Sequence, residues 1–137
     1  MIRFSLQSSQ ISICFTEVVI YLNEWYTVVI IETLAFTRRM VSLLSDTEYQ
    51  ALQWFLCTAP DAGAVIQGTG GARKVRWKQE HQGKRGGVRI IYFHHGQEDQ
   101  IWMLALYAKT EKEDLSSDDK KIVKQLVEEI KKWKVIY

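Results

Sequence analysis

Proline occurs once, at Pro60, and cysteine only twice. Cys14 and Cys57 lie far apart with no paired spacing, which argues against a disulfide framework or a zinc site and for two free thiols in a reducing compartment. The three histidines, His81, His94 and His95, show no HxxxH or HxH arrangement. On a strand, the neighbours His94 and His95 point to opposite faces, so no metal centre is expected. A run of about 18 apolar residues is missing too. Glu17, Asn23, Glu24 and Glu32 interrupt the apolar stretch from 11 to 36, and no membrane span is expected. No compact apolar segment leads from Met1 to a small-residue cleavage site, so the chain reads as cytoplasmic. Nucleotide fingerprints fail as well. Gly68 and Gly70 do not continue as GxGxxG because position 73 is arginine, and no Walker sequence is present. No spacing suggests a Ser–His–Asp or Cys–His pairing.

Acidic residues are scarce in one place. Residues 73–89 hold seven Lys/Arg (Arg73, Lys74, Arg76, Lys78, Lys84, Arg85, Arg89) and one acid, Glu80, a local charge of +6. The chain as a whole carries +2, so the remainder carries −4. Such a patch attracts polyanions, nucleic acid above all. The flanking glycines, Gly70, Gly71, Gly83, Gly86 and Gly87, let a backbone approach a phosphate closely.

At 137 residues, with 47% hydrophobic and 25% charged content, one domain with one core is the simplest organisation. Residues 11–22 and 27–32 are β-branched and aromatic, hence strands, with Asn23 and Glu24 as a turn between them. From Thr33 the period lengthens, with Leu34, Met40, Val41 and Leu44 on a helix flank. Ser45 and Glu48 form a capping box that opens a second helix with Tyr49, Leu52 and Leu56 inside. That helix ends near Thr58, ahead of Pro60. A glycine-rich loop, 61–71, precedes three strands at 73–77, 88–94 and 101–108. A last helix starts at Ser116–Asp119, with Ile122, Leu126, Ile130 and Trp133 as its inner stripe, widened by Val123 and Val127. The fold class is α+β: an N-terminal strand, two helices, a three-stranded antiparallel meander and a C-terminal helix.

Alternation sets the chemistry. Lys74 and Arg76 share one face of a strand, opposite Val75 and Trp77. Antiparallel pairing through the 83–87 loop brings Arg89 beside Arg76 or Lys74, and Lys109 ends the third strand. Cations alternating with apolar residues also describe any solvated sheet face. The lack of interspersed acids favours a polyanion site over that plainer reading.

These residues resemble the RelE-like toxins of bacterial type II toxin–antitoxin modules, most closely the HigB branch. The similarity runs from about Thr27 to Trp133. Its best parts are Phe36-Thr-Arg with Leu44 to Tyr49, Asp61 to Trp77, Gly83-Lys-Arg-Gly-Gly-Val-Arg-Ile-Ile-Tyr, and Leu106-Tyr-Ala-Lys-Thr-Glu-Lys-Glu-Asp-Leu. The resemblance implies a metal-independent, cofactor-free endoribonuclease that cuts mRNA in the ribosomal A site and is neutralised by a helix-turn-helix antitoxin. It implies Lys74, Arg76, Arg89 and Lys109 as catalytic residues, and Arg73, Lys84, Arg85, Tyr92 and Tyr107 as RNA contacts. Thr110 stands where better-studied members carry arginine, and Ser116 or a neighbour where they carry tyrosine. The general acid and base therefore stay open, with Tyr107, Tyr92, Lys84 and Arg85 as substitutes. Two alternatives remain: a non-catalytic RNA- or ribosome-binding module (or decayed toxin), and a gyrase-inhibiting relative of the same fold. Residues 1–26 lie outside the resemblance, as an added strand or a misplaced start, and 27–137 form the toxin domain.

Overall fold

The computed structural model describes residues 2–7, 12–21, 27–79 and 87–132. Among these residues, seven strands form one sheet in the order β1-β2-β3-β7-β6-β5-β4. They are β1 (Ile2–Gln7), β2 (Ser12–Tyr21), β3 (Thr27–Thr33), β4 (Ala64–Val65), β5 (Arg73–Trp77), β6 (Val88–His95) and β7 (Gln100–Ala108). Helices α1 (Leu34–Leu43) and α2 (Asp46–Thr58) follow β3, and α3 (Ser117–Lys132) follows β7. The α+β class and the order of elements agree with the sequence reading, and the meander is β5-β6-β7. The sheet is wider than that meander. Strand β3 pairs parallel to β7, and β2 and β1 continue it antiparallel on the far side. The turn expected at Asn23–Glu24 and the basic loop with Lys84 and Arg85 lie outside the described residues.

Thr33 joins three elements. Its hydroxyl accepts from the Phe36 amide as the cap of α1 and donates to the Leu104 carbonyl (2.9 Å). The capping box of α2 is present: the Ser45 side chain accepts from the Glu48 amide, and the Ser45 amide donates to Glu48. Buried Glu32 accepts from Tyr49 Oη (2.5 Å) and Thr37 Oγ1 (2.7 Å), tying β3 to both helices. This satisfies a carboxylate that would otherwise be costly to bury.

Each face of the sheet has its own core. Helices α1 and α2 cover one, where Phe36, Leu52 and Leu56 pack on Ile30, Ile90 and Met103. Helix α3 covers part of the other, where Val123, Val127 and Ile130 pack with Ile91, Phe93 and Trp102. The inner stripe of α3 is therefore rotated from the expected one. Ile122 is 57% exposed, and Leu126 is only partly buried. Val123, Val127 and Ile130 fall at i, i+4 and i+7 and make the narrower seam; Trp133 is outside the described residues.

A register shift in the β6–β7 pair decides which side chains share the second face. Ile91 pairs with Ala105 but Tyr92 pairs with Met103, so Leu104 is an extra residue in β7. Leu104 and Ala105 both belong to the α3 side, and the alternation beyond them is shifted by one. Leu106 consequently packs under α1 and α2, and Tyr107 emerges on the α3 face.

Candidate nucleic-acid face

The part of the second face next to the start of α3 carries the cations. Arg76 pairs directly with Arg89 across β5 and β6, and Arg89 pairs with Tyr107 across β6 and β7. Arg76, Arg89 and Tyr107 therefore form one row across three strands, with Lys74 two residues along β5 on the same side. Like charges directly opposite one another repel. The pair, with Lys74, gathers three cationic side chains on one side of the sheet. Arg76 is exposed, whereas Arg89 is only 4% exposed. Arg89 is thus no solvated sheet-face residue: neighbours on both sides and a central strand enclose it.

Turn geometry holds the row in register. Gly87 sits at φ +58, and a Cβ there would lie 2.2 Å from the Trp77 carbonyl oxygen, so no other residue fits the mouth of the β5–β6 hairpin. The Gly87 carbonyl accepts from the Lys109 amide (3.2 Å), which brings exposed Lys109 to the same end of the sheet. Arg76 and Lys78 also line an open groove of about 450 Å³ with Thr47, Glu48, Ala51 and Trp77, carrying the basic surface round the sheet edge to the start of α2.

Two expected RNA contacts lie elsewhere. Arg73 has the opposite alternation to Lys74; its guanidinium donates to the Asp61 and Gly63 carbonyls (3.1 and 2.8 Å) and sits 3.6 Å from the Asp61 carboxylate. Tyr92 is fully buried on the α1–α2 side. Its hydroxyl donates to the Pro60 carbonyl (2.7 Å) and accepts from the Gly63 amide (2.9 Å). Both residues pin the 60–63 turn, and neither belongs to the basic row. His94 Nδ1 lies 3.0 Å from the Asp61 carboxylate, and that contact, with Arg73 adding to it, holds Asp61 below the usual carboxylate range.

An acid also enters the face. Lys74 Nζ donates to Asp114 Oδ1 at 3.1 Å, across 40 residues of sequence. The Leu115 amide and Lys74 together hold Asp114 below its ordinary range. Asp114 comes from the strap between β7 and α3, residues 109–116. The scarcity of acids seen in residues 73–89 is therefore local to the sequence and not to the surface. Lys112, on the same strap, places its ammonium 5.1 Å from the centre of the Tyr107 ring and binds Asp119 at 3.1 Å. Arg39 on α1 pairs with Glu111. Sequence reasoning missed Asp114 and Lys112; both stand in the Leu106–Leu115 motif, but only tertiary packing sets them against Lys74 and Tyr107.

Among the described residues, no helix is long and apolar enough to cross a membrane. A family model described as the RelE toxin of the RelE / RelB toxin-antitoxin system matches residues 60–135, which include the whole basic row, the strap and α3.

Proposed function

Because the chain belongs to the RelE family of toxin–antitoxin toxins, we propose that it is a ribosome-dependent mRNA endoribonuclease of the HigB branch, held inactive by a helix-turn-helix antitoxin. The observation that carries this reading is the Arg76–Arg89 pair with Lys74 on the same face. Cleavage starts with attack of the RNA 2′-oxygen on its adjacent phosphorus. The bond to the 5′-oxygen breaks, leaving a 2′,3′-cyclic phosphate and a free 5′-hydroxyl. Negative charge accumulates on the non-bridging oxygens, and two guanidiniums are suited to grip them through charge-assisted, bidentate bonds. Loss of one such donor costs about 10²–10³ in rate. Lys74 donates to a carboxylate in the free protein, which suits an ammonium that stabilises charge better than a neutral base. Lys109 adds charge at the strand end. With no strong base on this row, the ribosome supplies alignment of the 2′-oxygen with the phosphorus.

Purified protein should cut an mRNA in a translating reaction at the codon in the A site and leave the same RNA intact without ribosomes, as read by primer extension. Rapid cutting of naked RNA contradicts the ribosome requirement. Binding to ribosomes or RNA without any cutting supports the second reading, a non-catalytic binding module, which Thr110 in place of the family arginine favours.

A further inference from the structure

The Tyr107 side chain is 4% exposed, and its hydroxyl has no hydrogen-bond partner. A buried hydroxyl left without a partner is an expense that native folds avoid unless function requires it. This one lies in the row of Arg76 and Arg89, on the face that the RNA reading assigns to the phosphate. The bulge at Leu104 puts it there; regular alternation would have turned it under α1 and α2. Lys112 covers the ring, and the strap that carries Lys112 is held against the face by two ion pairs, Lys74–Asp114 and Lys112–Asp119, while Glu111 pairs with Arg39 of α1. Every one of these side chains is at least a quarter exposed. Pairs of that kind are individually weak and yield to a stronger anion. The Asp114 carboxylate on the Lys74 ammonium is itself an anionic oxygen in the place where a phosphate oxygen would bind.

We propose that the Tyr107 hydroxyl is a further substrate-contacting group, a hydrogen-bond donor to the phosphate held by Arg76 and Arg89, uncovered when RNA displaces Asp114 from Lys74 and lifts the strap. This rests on the ribonuclease reading. Burial, with Asp114 and Asp119 adding to it and Arg89 opposing it, raises the Tyr107 phenol above its ordinary range, so it keeps its proton as a donor must. Asp114 is then a stand-in for substrate, competing with RNA for one ammonium.

Tyr107→Phe and Asp114→Asn test both halves, each measured for thermal unfolding and for ribosome-dependent cleavage. Tyr107→Phe removes only an unpartnered hydroxyl, so its melting temperature should equal or exceed that of the parent, while kcat falls about 10²-fold. Asp114→Asn should lower KM several-fold at nearly unchanged kcat. Tyr107→Phe that cuts at the parent rate overturns the contact, and so does a lowered melting temperature, which would reveal a structural partner for the hydroxyl. Asp114→Asn with an unchanged or raised KM overturns the displacement. If the parent protein cuts nothing, the ribonuclease reading fails instead. The hydroxyl is then judged by the Kd of a short single-stranded RNA, where Tyr107→Phe should bind several-fold more weakly and equal binding sinks the proposal.

Discussion

Arg89 shows how burial changes the meaning of a mutation. Truncating an arginine that is 4% exposed removes packing as well as charge, so Arg89→Ala should lose about 1–3 kcal/mol of stability together with its cleavage. Arg89→Met keeps the bulk of the stem. It should unfold above the temperature of Arg89→Ala and still be inactive, and that comparison separates the clamp from the packing of the stem. Arg89→Lys should recover cleavage only in part, because a point charge cannot make the paired contacts of a guanidinium. Tyr92 gives the converse. Tyr92→Phe strips partners from the Gly63 amide and the Pro60 carbonyl, at a cost of about 1–3 kcal/mol. It leaves the basic row untouched, so calorimetry should record the loss while cleavage per folded molecule stays at the parent value.

The strap between β7 and α3 is an element held mostly by electrostatics. Asp114 is held below its ordinary range by the Leu115 amide and Lys74, and Asp119 by the Ser116 amide and Lys112. Carboxylates with lowered folded values stabilise the fold above their unfolded value of about 3.9. That contribution is lost as pH falls through the lower folded values. The strap contribution of these two carboxylates should therefore be constant at pH values well above that unfolded value. At lower pH the melting temperature of the parent should fall more steeply than that of an Asp114→Asn, Asp119→Asn double variant. Parallel curves for the two proteins would show that these pairs contribute nothing measurable, as is common for exposed pairs.

At the scale of the whole molecule, β1 and β2 widen the sheet beyond the matched residues 60–135. A protein starting at Tyr26 keeps both helix-covered cores but turns β3 into an edge. It should fold and retain its activity with a modest loss of stability, and associate more readily at high concentration, because a bare edge invites pairing. Insolubility of that truncation would make the two strands integral to the fold. The capping box, the meander and the placing of Arg89 beside Arg76 or Lys74 were legible in the sequence because each follows from local spacing or strand alternation; the hairpin register then chose Arg76. The parallel β3–β7 pairing, the burial of Arg89, and the contacts of Asp114 and Lys112 were not. The parallel pairing and the Asp114 contact bring together elements 40 to 71 residues apart, as in the Lys74–Asp114 and Thr33–Leu104 bonds, and the short-range contacts of Lys112 depend on the course of the strap, so no local period encodes them. Arg73 and Tyr92 were misplaced for a related reason: residue type suggested a phosphate contact, whereas strand parity turned both to the far side.

The extra residue in β7 has a consequence for how this chain should be compared with its relatives. A relative whose last strand runs without the insertion reads the same letters in the opposite phase. A tyrosine in the column of Tyr107 would there sit beneath the helices, and the hydroxyl equivalent in space would be written one place earlier or later. Counterparts of this side chain are therefore to be sought by the side of the sheet they face, and a gapless alignment through Leu104 will pair the wrong residues.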